Sequence, residues 1–169
     1  ITNRGFLSAG DLNGDGRVDL LLTGYESDQV VSILGNGDGT FQAPRALPGV
    51  SGGPFGGSLA DVTGDGVLDA LVPRYNIDTV TVLRGVGDGT FAVLQDLSVP
   101  GRPAWVHGAD LDGDGRGDIA VAAWTAGQLV VHLNRGDNTF GPASRYTVNA
   151  NVAEALLADV DGDGRKDLL

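Results

Sequence analysis

The sequence predicts an all-β fold of four-stranded antiparallel blades, with three complete blades and the first hairpin of a fourth. Three observations carry this prediction. An acidic nonapeptide recurs as DLNGDGRVD at 11–19, DVTGDGVLD at 61–69, DLDGDGRGD at 110–118 and DVDGDGRKD at 159–167, at spacings of 50, 49 and 49 residues. A second motif, GDGTF at 37–41 and 87–91 and GDNTF at 136–140, keeps a constant distance from its acidic copy, so the period covers the whole unit. Short apolar runs separated by glycine-rich turns fill the space between, and no segment has helical periodicity of useful length. A period near 50 with several short strands per unit marks a β-propeller blade. The blades are expected at about 1–50, 51–99 and 100–148, with a partial blade at 149–169.

Each blade can be read strand by strand. Small-residue segments at 6–10, 55–60, 105–109 and 153–158 precede the acidic loops and form the first strands. The runs at 20–22, 70–72 and 119–121 follow the loops and form the second. A third strand is expected at 30–34, 80–83 and 129–133, and a fourth beginning at Phe41, Phe91 and Phe140. The runs are continuously apolar rather than alternating, which implies sheets covered on both faces, as stacked blades provide. The Asp-Gly of the second motif reads as a tight hairpin turn, with glycine supplying the positive φ of a primed turn.

Composition narrows the function classes. Net charge is −11, the wrong sign for a nucleic-acid binder. No apolar run reaches 18 residues, so no transmembrane helix is expected, and the ITNRGF start is not a signal peptide. Cys and Met are absent, which removes thiolate chemistry and implies that Ile1 is not a translational start and that the chain is a processed product or a fragment. With 41% hydrophobic residues in strand-sized runs, the acidity does not signal disorder.

The acidity is local. The four nonapeptides hold 14 of the 22 acidic residues, leaving 8 against the chain's 11 Lys and Arg. Their pattern is Asp-x-Asx-x-Asp-x-x-x-Asp with glycine fourth and sixth. Places 1, 3, 5 and 9 offer side-chain oxygens and place 7 its backbone carbonyl, close to the first nine places of a helix–loop–helix calcium loop. Glycine lets such a loop wrap a cation at roughly 2.4 Å from each oxygen. The helix–loop–helix architecture itself fails, because place 12, where a bidentate Glu is needed, is Leu22, Val72 and Val121. Oxygen donors without Cys or His in the loop favour Ca²⁺ over zinc or copper, and the number of protein ligands disfavours Mg²⁺. Four Ca²⁺ would bring the net charge from −11 to −3. Crowded carboxylates at a repeated spacing repel unless a cation relieves them. The third loop contains the adhesion tripeptide Arg116-Gly117-Asp118, but Asp118 is place 9 of its loop, and the glycine at place 8 reads as chance.

These residues, DLNGDGRVDL at 11–20 followed by GNGDGTF at 35–41, resemble the FG-GAP/VCBS repeats, the calcium-loop blades of integrin-α-like β-propellers. The resemblance covers the whole chain. It implies metal ligands Asp11, Asn13, Asp15, Arg17 (carbonyl) and Asp19. The matching sets are Asp61, Thr63, Asp65, Val67 and Asp69; Asp110, Asp112, Asp114, Arg116 and Asp118; and Asp159, Asp161, Asp163, Arg165 and Asp167. Thr63 departs from the usual Asp or Asn. The resemblance further implies an extracellular or cell-surface setting, a ring of commonly seven blades, and functions that include adhesion receptors, fungal propeller lectins and accessory domains of secreted enzymes. Three blades and a hairpin do not close a ring, so the remaining blades of a longer propeller, or less simply another copy, are expected as partners.

The function expected is a calcium-stabilised binding module for a carbohydrate or protein ligand. An accessory or structural domain of a larger secreted enzyme or adhesin is the alternative. The column Tyr25, Tyr75 and Trp124 places an amphipathic aromatic at one point of each blade, where it can stack on a sugar or cap the gap between blades. An enzyme is not expected: His107 and His132 are the only histidines, both lie on predicted strands, and no nucleophile–base set accompanies them.

Overall fold

The structure, a computed structural model, describes residues 5–148, 157–160, 162 and 167–168. Three four-stranded antiparallel sheets follow one another, each a simple meander. The first contains β1 (Gly5–Gly10), β2 (Asp19–Gly24), β3 (Gln29–Ile33) and β4 (Arg45–Ala46). The second contains β5 (Ser58–Ala60), β6 (Asp69–Arg74), β7 (Thr79–Gly85) and β8 (Phe91–Ser98). The third contains β9 (Pro103–Ala109), β10 (Asp118–Ala123), β11 (Gln128–His132) and β12 (Ser144–Thr147). A two-stranded ladder, β13 (Leu157–Ala158) and β14 (Asp167–Leu168), follows. The sheets are consistent with propeller blades, and the described residues close no ring.

The sheets stack through two apolar joints. Leu21, Val30, Leu47 and Val50 of the first sheet meet Ala70, Val72 and Leu83 of the second. Leu71, Val80, Val82 and Leu97 on the opposite face of the second sheet meet Val106, Ile119, Val121 and Phe140 of the third. This is why β6 is buried on both faces, while of β10 the joint covers the face of Ile119, Val121 and Ala123. Hydroxyls fasten the first joint as well. Ser8 Oγ donates to Gly57 O at 2.8 Å, Ser32 Oγ to Gly89 O at 2.8 Å, and Thr23 Oγ1 to Phe55 O.

The outer strands differ from expectation. Only β8 begins at its phenylalanine. Phe41 and Phe140 make isolated bridges, to Gly35 and Asn134, and regular pairing resumes at Arg45 and Ser144. The cause is proline: Pro44 and Pro142 each remove a backbone donor shortly after the phenylalanine, and the second sheet has none there. The first strand of the second sheet likewise starts at Ser58 rather than 55, after Gly56 and Gly57. Gly39, Gly89 and Asn138 take positive φ, as the hairpin required. The turn is closed by Asn36 N–H donating to Thr40 O, one residue longer than a two-residue primed turn.

Candidate functional site

Each acidic loop joins the first two strands of its sheet at one end of the stack. Place 1 organises it. Asp11 Oδ1 accepts from Asn13, Gly14 and Asp15 N–H, and Oδ2 from Gly16 N–H. Asp61 accepts from Gly64, Asp65 and Gly66, and Asp110 from Gly113 and Gly115. These amides converge because the fourth and sixth glycines take positive φ, between 73° and 85° at the second and third loops. The same amides favour the ionised carboxylate, so Asp11 and Asp110 are held below the usual value of 3.8, with Gly16 and Gly115 the leading donors. At place 5, Asp65 is likewise lowered, first by the Val67 amide.

Place 9 does something the spacing did not reveal. Asp19, Asp69 and Asp118 are fully buried. One oxygen of each holds the amide after place 1: Leu12, Val62 (with Thr63) and Leu111, all at 2.9 Å. The other oxygen holds the amide that ends the third strand: Gly35 at 2.7 Å, Gly85 at 2.9 Å and Asn134 at 2.8 Å. One carboxylate thus staples the acidic loop to the neighbouring hairpin. Burial pushes Asp69 and Asp118 up, and Asp112 and Asp114 push Asp118 further.

The residues fit a hard cation. In the third loop, carboxylate oxygens of Asp110, Asp112 and Asp118 lie within 4.8 Å of one another. Asp110 is half-buried, Asp112 exposed and Asp118 buried. In the second loop Thr63 Oγ1 is buried beside the carboxylates of Asp65 and Asp69 but forms no well-shaped hydrogen bond. Its oxygen is one more donor that a cation at those carboxylates could use. At Asp69 and Asp118 the amides favour the charged form but burial outweighs them, and a bound cation would favour that form further. In the first loop Asn13 Oδ1 accepts from Asp15 N–H, and its amide nitrogen donates to Asp15. Of the fourth loop, Asp159 Oδ1 accepts from Gly162 N–H at 2.7 Å. Asp161, Asp163 and Arg165 lie outside the described residues, and Asp167 is placed only as the start of β14.

Arginines guard place 5. Arg17 lies 3.7 Å from Asp15, and Arg116 pairs with Asp114. The second loop has Val67 at place 7, and there Arg84 reaches across from β7 to Asp65 at 3.0 Å. Sequence reasoning missed Arg84. The available signal was its column, Leu34, Arg84, Leu133, in which arginine appears only where place 7 lacks one.

Asp118 is not presented as an adhesion carboxylate, since both its oxygens hold backbone amides inside the protein. The glycine at place 8 is not chance. A Cβ on Gly117 would meet Asp61 O at 3.0 Å and Val62 Cα at 3.2 Å. This close approach lets Asn134 Nδ2 donate to Val62 O at 2.7 Å and to Gly117 O at 3.0 Å, tying the third sheet to the second. In the first joint the equivalent carbonyl, Leu12 O, accepts instead from Gly89 N–H at 3.2 Å.

The aromatic column lies at the far end of the second strand from the acidic loop. Its three rings are half-buried and meet edge to face: Tyr25–Tyr75 centroids are 5.7 Å apart and Tyr75–Trp124 6.1 Å. Phe55 packs on both tyrosines and Phe6, and Phe6 touches Trp105 at 5.1 Å. Polar groups rim the cluster. Tyr25 OH donates to Asn76 Oδ1 at 3.2 Å, and the Arg102 guanidinium stands 5.4 Å over Tyr75. Packing between blades accounts for these contacts, and the half of each ring left open is what a ligand could meet. The two histidines lie on β9 and β11: Nε2 of each is buried without a hydrogen-bond partner, and His132 Nδ1 contacts Gly141 O at 2.9 Å. No described helix is long and apolar enough to cross a membrane.

No curated protein sequence matches the chain significantly. Among solved structures, it is similar to a lectin from Agrocybe aegerita described as recognising non-reducing terminal N-acetylglucosamine. The TM-score is 0.68 at 22% identity over 99% of this chain, which establishes a shared fold. The chain spans 47% of the length of that lectin. The FG-GAP-like repeat model matches residues 11–72 and 110–169, most of the sequence, and with the acidic loops built as described, the chain belongs to the FG-GAP-like repeat family.

Proposed function

We propose that the chain is an extracellular binding module that is stiffened by Ca²⁺ and takes a glycan as ligand. The carrying observation is the lectin-like arrangement of the whole chain together with one half-open aromatic ring per blade at a repeated position. Sugar rings present an apolar face and a hydroxyl rim, and Tyr25, Tyr75 and Trp124, with Asn76 and Arg102 beside them, offer the complement. Calcium would be held by places 1, 3, 5 and 9 and the place-7 carbonyl of each loop, with Thr63 supplying a hydroxyl in the second. It would screen the carboxylates and brace the loop against its hairpin. The module would form blades at about 1–50, 51–99 and 100–148 and part of one at 149–169, within a ring of seven.

The test is a glycan array in calcium, with N-acetylglucosamine as competitor. Binding should be displaced by the free sugar and lost in Trp124→Ala and Tyr75→Ala variants that keep their circular-dichroism spectrum. Binding that survives both substitutions removes the site from this column. Binding insensitive to free sugar replaces the glycan with a protein ligand.

A further inference from the structure

The two joints between sheets differ in the polar group they set beside the preceding tyrosine. The loops that lead into the second and third sheets share one backbone. Asp28 Oδ1 accepts from Gly52 and Gly53 N–H at 2.7 and 2.8 Å, and Asp78 Oδ1 from Gly101 and Arg102 N–H at 3.2 and 2.8 Å. Gly53 O then accepts from Tyr75 N–H at 3.0 Å, and Arg102 O from Trp124 N–H at 3.1 Å. Gly53 and Arg102 therefore hold one position, and both take positive φ, 72° and 59°. Glycine is the residue such a position suits. At the first joint the packing also requires it, since a Cβ would meet Asn76 Nδ2 at 2.5 Å and Tyr25 Cε2 at 2.9 Å. At the second joint the column of Asn76 holds the shorter Thr125, and the position of Gly53 holds an arginine.

An arginine in the left-handed region costs folding energy, and such outliers concentrate where the side chain serves a site. This side chain goes to the aromatic column. Its guanidinium stands 5.4 Å over the Tyr75 ring, and the residue is exposed. Among the described residues Arg102 forms no ion pair, whereas Arg17, Arg74, Arg84 and Arg116 each hold a carboxylate. The acidic loops lie at the other end of each blade, so their charge does not satisfy it. We infer that, on the glycan reading above, the Tyr75–Trp124 joint takes a sugar that carries an anionic group, a carboxylate or a sulfate, which pairs with Arg102 while the sugar ring meets Trp124. A guanidinium fork matches either anion in shape and charge. The Tyr25–Tyr75 joint offers an amide instead, with Tyr25 OH donating to Asn76 Oδ1 at 3.2 Å, and takes a neutral sugar. One module thus reads two kinds of sugar at two positions of the same column.

The experiment measures binding of the 169-residue chain, in calcium, to immobilised glycan pairs that differ only in the anionic group. One pair is glucuronate against glucose, and the other is 6-sulfo-N-acetylglucosamine against N-acetylglucosamine. The acidic member of at least one pair should bind about tenfold more tightly or better, and its advantage should shrink as salt rises. The pair that shows the advantage identifies carboxylate or sulfate as the anion. Arg102→Gln should bring the ratio to about one, and Arg102→Lys should keep part of it, because the charge remains without the fork. Arg102→Gly should leave the melting midpoint unchanged or raise it, since the backbone there favours glycine. Pairs bound equally by the wild type, or a preference that survives Arg102→Gln, overturn the inference and leave the glycan reading standing. A midpoint that Arg102→Gly lowers by more than about 4 °C makes the arginine a packing residue and overturns it too. No binding to any member of either pair removes the glycan reading itself, and the inference with it.

Discussion

Replacing Asp69 by Asn separates the two roles that place 9 combines. The buried carboxylate accepts from Val62 and Thr63 N–H through one oxygen and from Gly85 N–H through the other. The amide has one oxygen. If that oxygen keeps the Val62–Thr63 pair, the NH₂ group faces Gly85 N–H, donor against donor, in a site without solvent. Losing one charge-assisted bond and stranding a buried donor costs about 2–4 kcal/mol. Removing a charge that burial disfavours returns part of this, so about 2 kcal/mol remains in EDTA. For a chain of this size that is a fall of roughly 4–8 °C in melting midpoint. At a calcium concentration a hundred times Kd, the wild type gains about 2.7 kcal/mol from this site, and the variant forfeits it. The difference should therefore grow to nearly 5 kcal/mol, or roughly 9–19 °C. The assay is thermal unfolding by circular dichroism of both proteins, in EDTA and in calcium. An equal difference in the two buffers would mean that Asp69 holds no metal. A difference near zero in EDTA would refute the staple.

The second loop should be the weakest calcium site, because Thr63 offers a neutral hydroxyl where the third loop has Asp112. As free calcium falls, the Asp61–Asp69 site should empty before the Asp110–Asp118 site, and Thr63→Asp should tighten it and narrow the gap, as followed by NMR of Gly64, Gly66, Gly113 and Gly115. Retention at Asp61–Asp69 after loss at Asp110–Asp118 would show that ligand charge does not rank the sites. Stability against pH should change shape with calcium. Asp11, Asp38, Asp88, Asp110 and Asp137 are held below 3.8, so the unfolded chain binds more protons and stability rises as pH climbs through their folded values towards 3.8. Asp69 and Asp118 are raised, so above 3.8 the folded chain binds more protons, and stability falls as pH rises through their folded values. In EDTA the melting midpoint should peak near pH 4, and in calcium the descending limb should vanish, because the metal favours the ionised form. A descending limb that persists unchanged in calcium would contradict metal binding at place 9.

The repeat carried most of the fold. A fixed interval between DLNGDGRVD-like loops and GDGTF-like turns places strands of constant length between them, and pairing of neighbours along the chain needs no long-range information. The donor set was legible for the same reason, since carboxylates at alternate places of a glycine-bearing turn point to one centre. Tertiary contact decided the rest. Asp19, Asp69 and Asp118 could be read as ligands from spacing, but their grip on Gly35, Gly85 and Asn134 depends on a hairpin folded back beside the loop. Arg84 reaches Asp65 from another strand, and Gly117 is required by the backbone of the neighbouring sheet. The same apolar pattern in β2 and β6 meets opposite fates, half-open in one and closed in the other. A sequence specifies which face of a strand is apolar through its own side chains, but whether that face is covered is settled only by the sheet beside it.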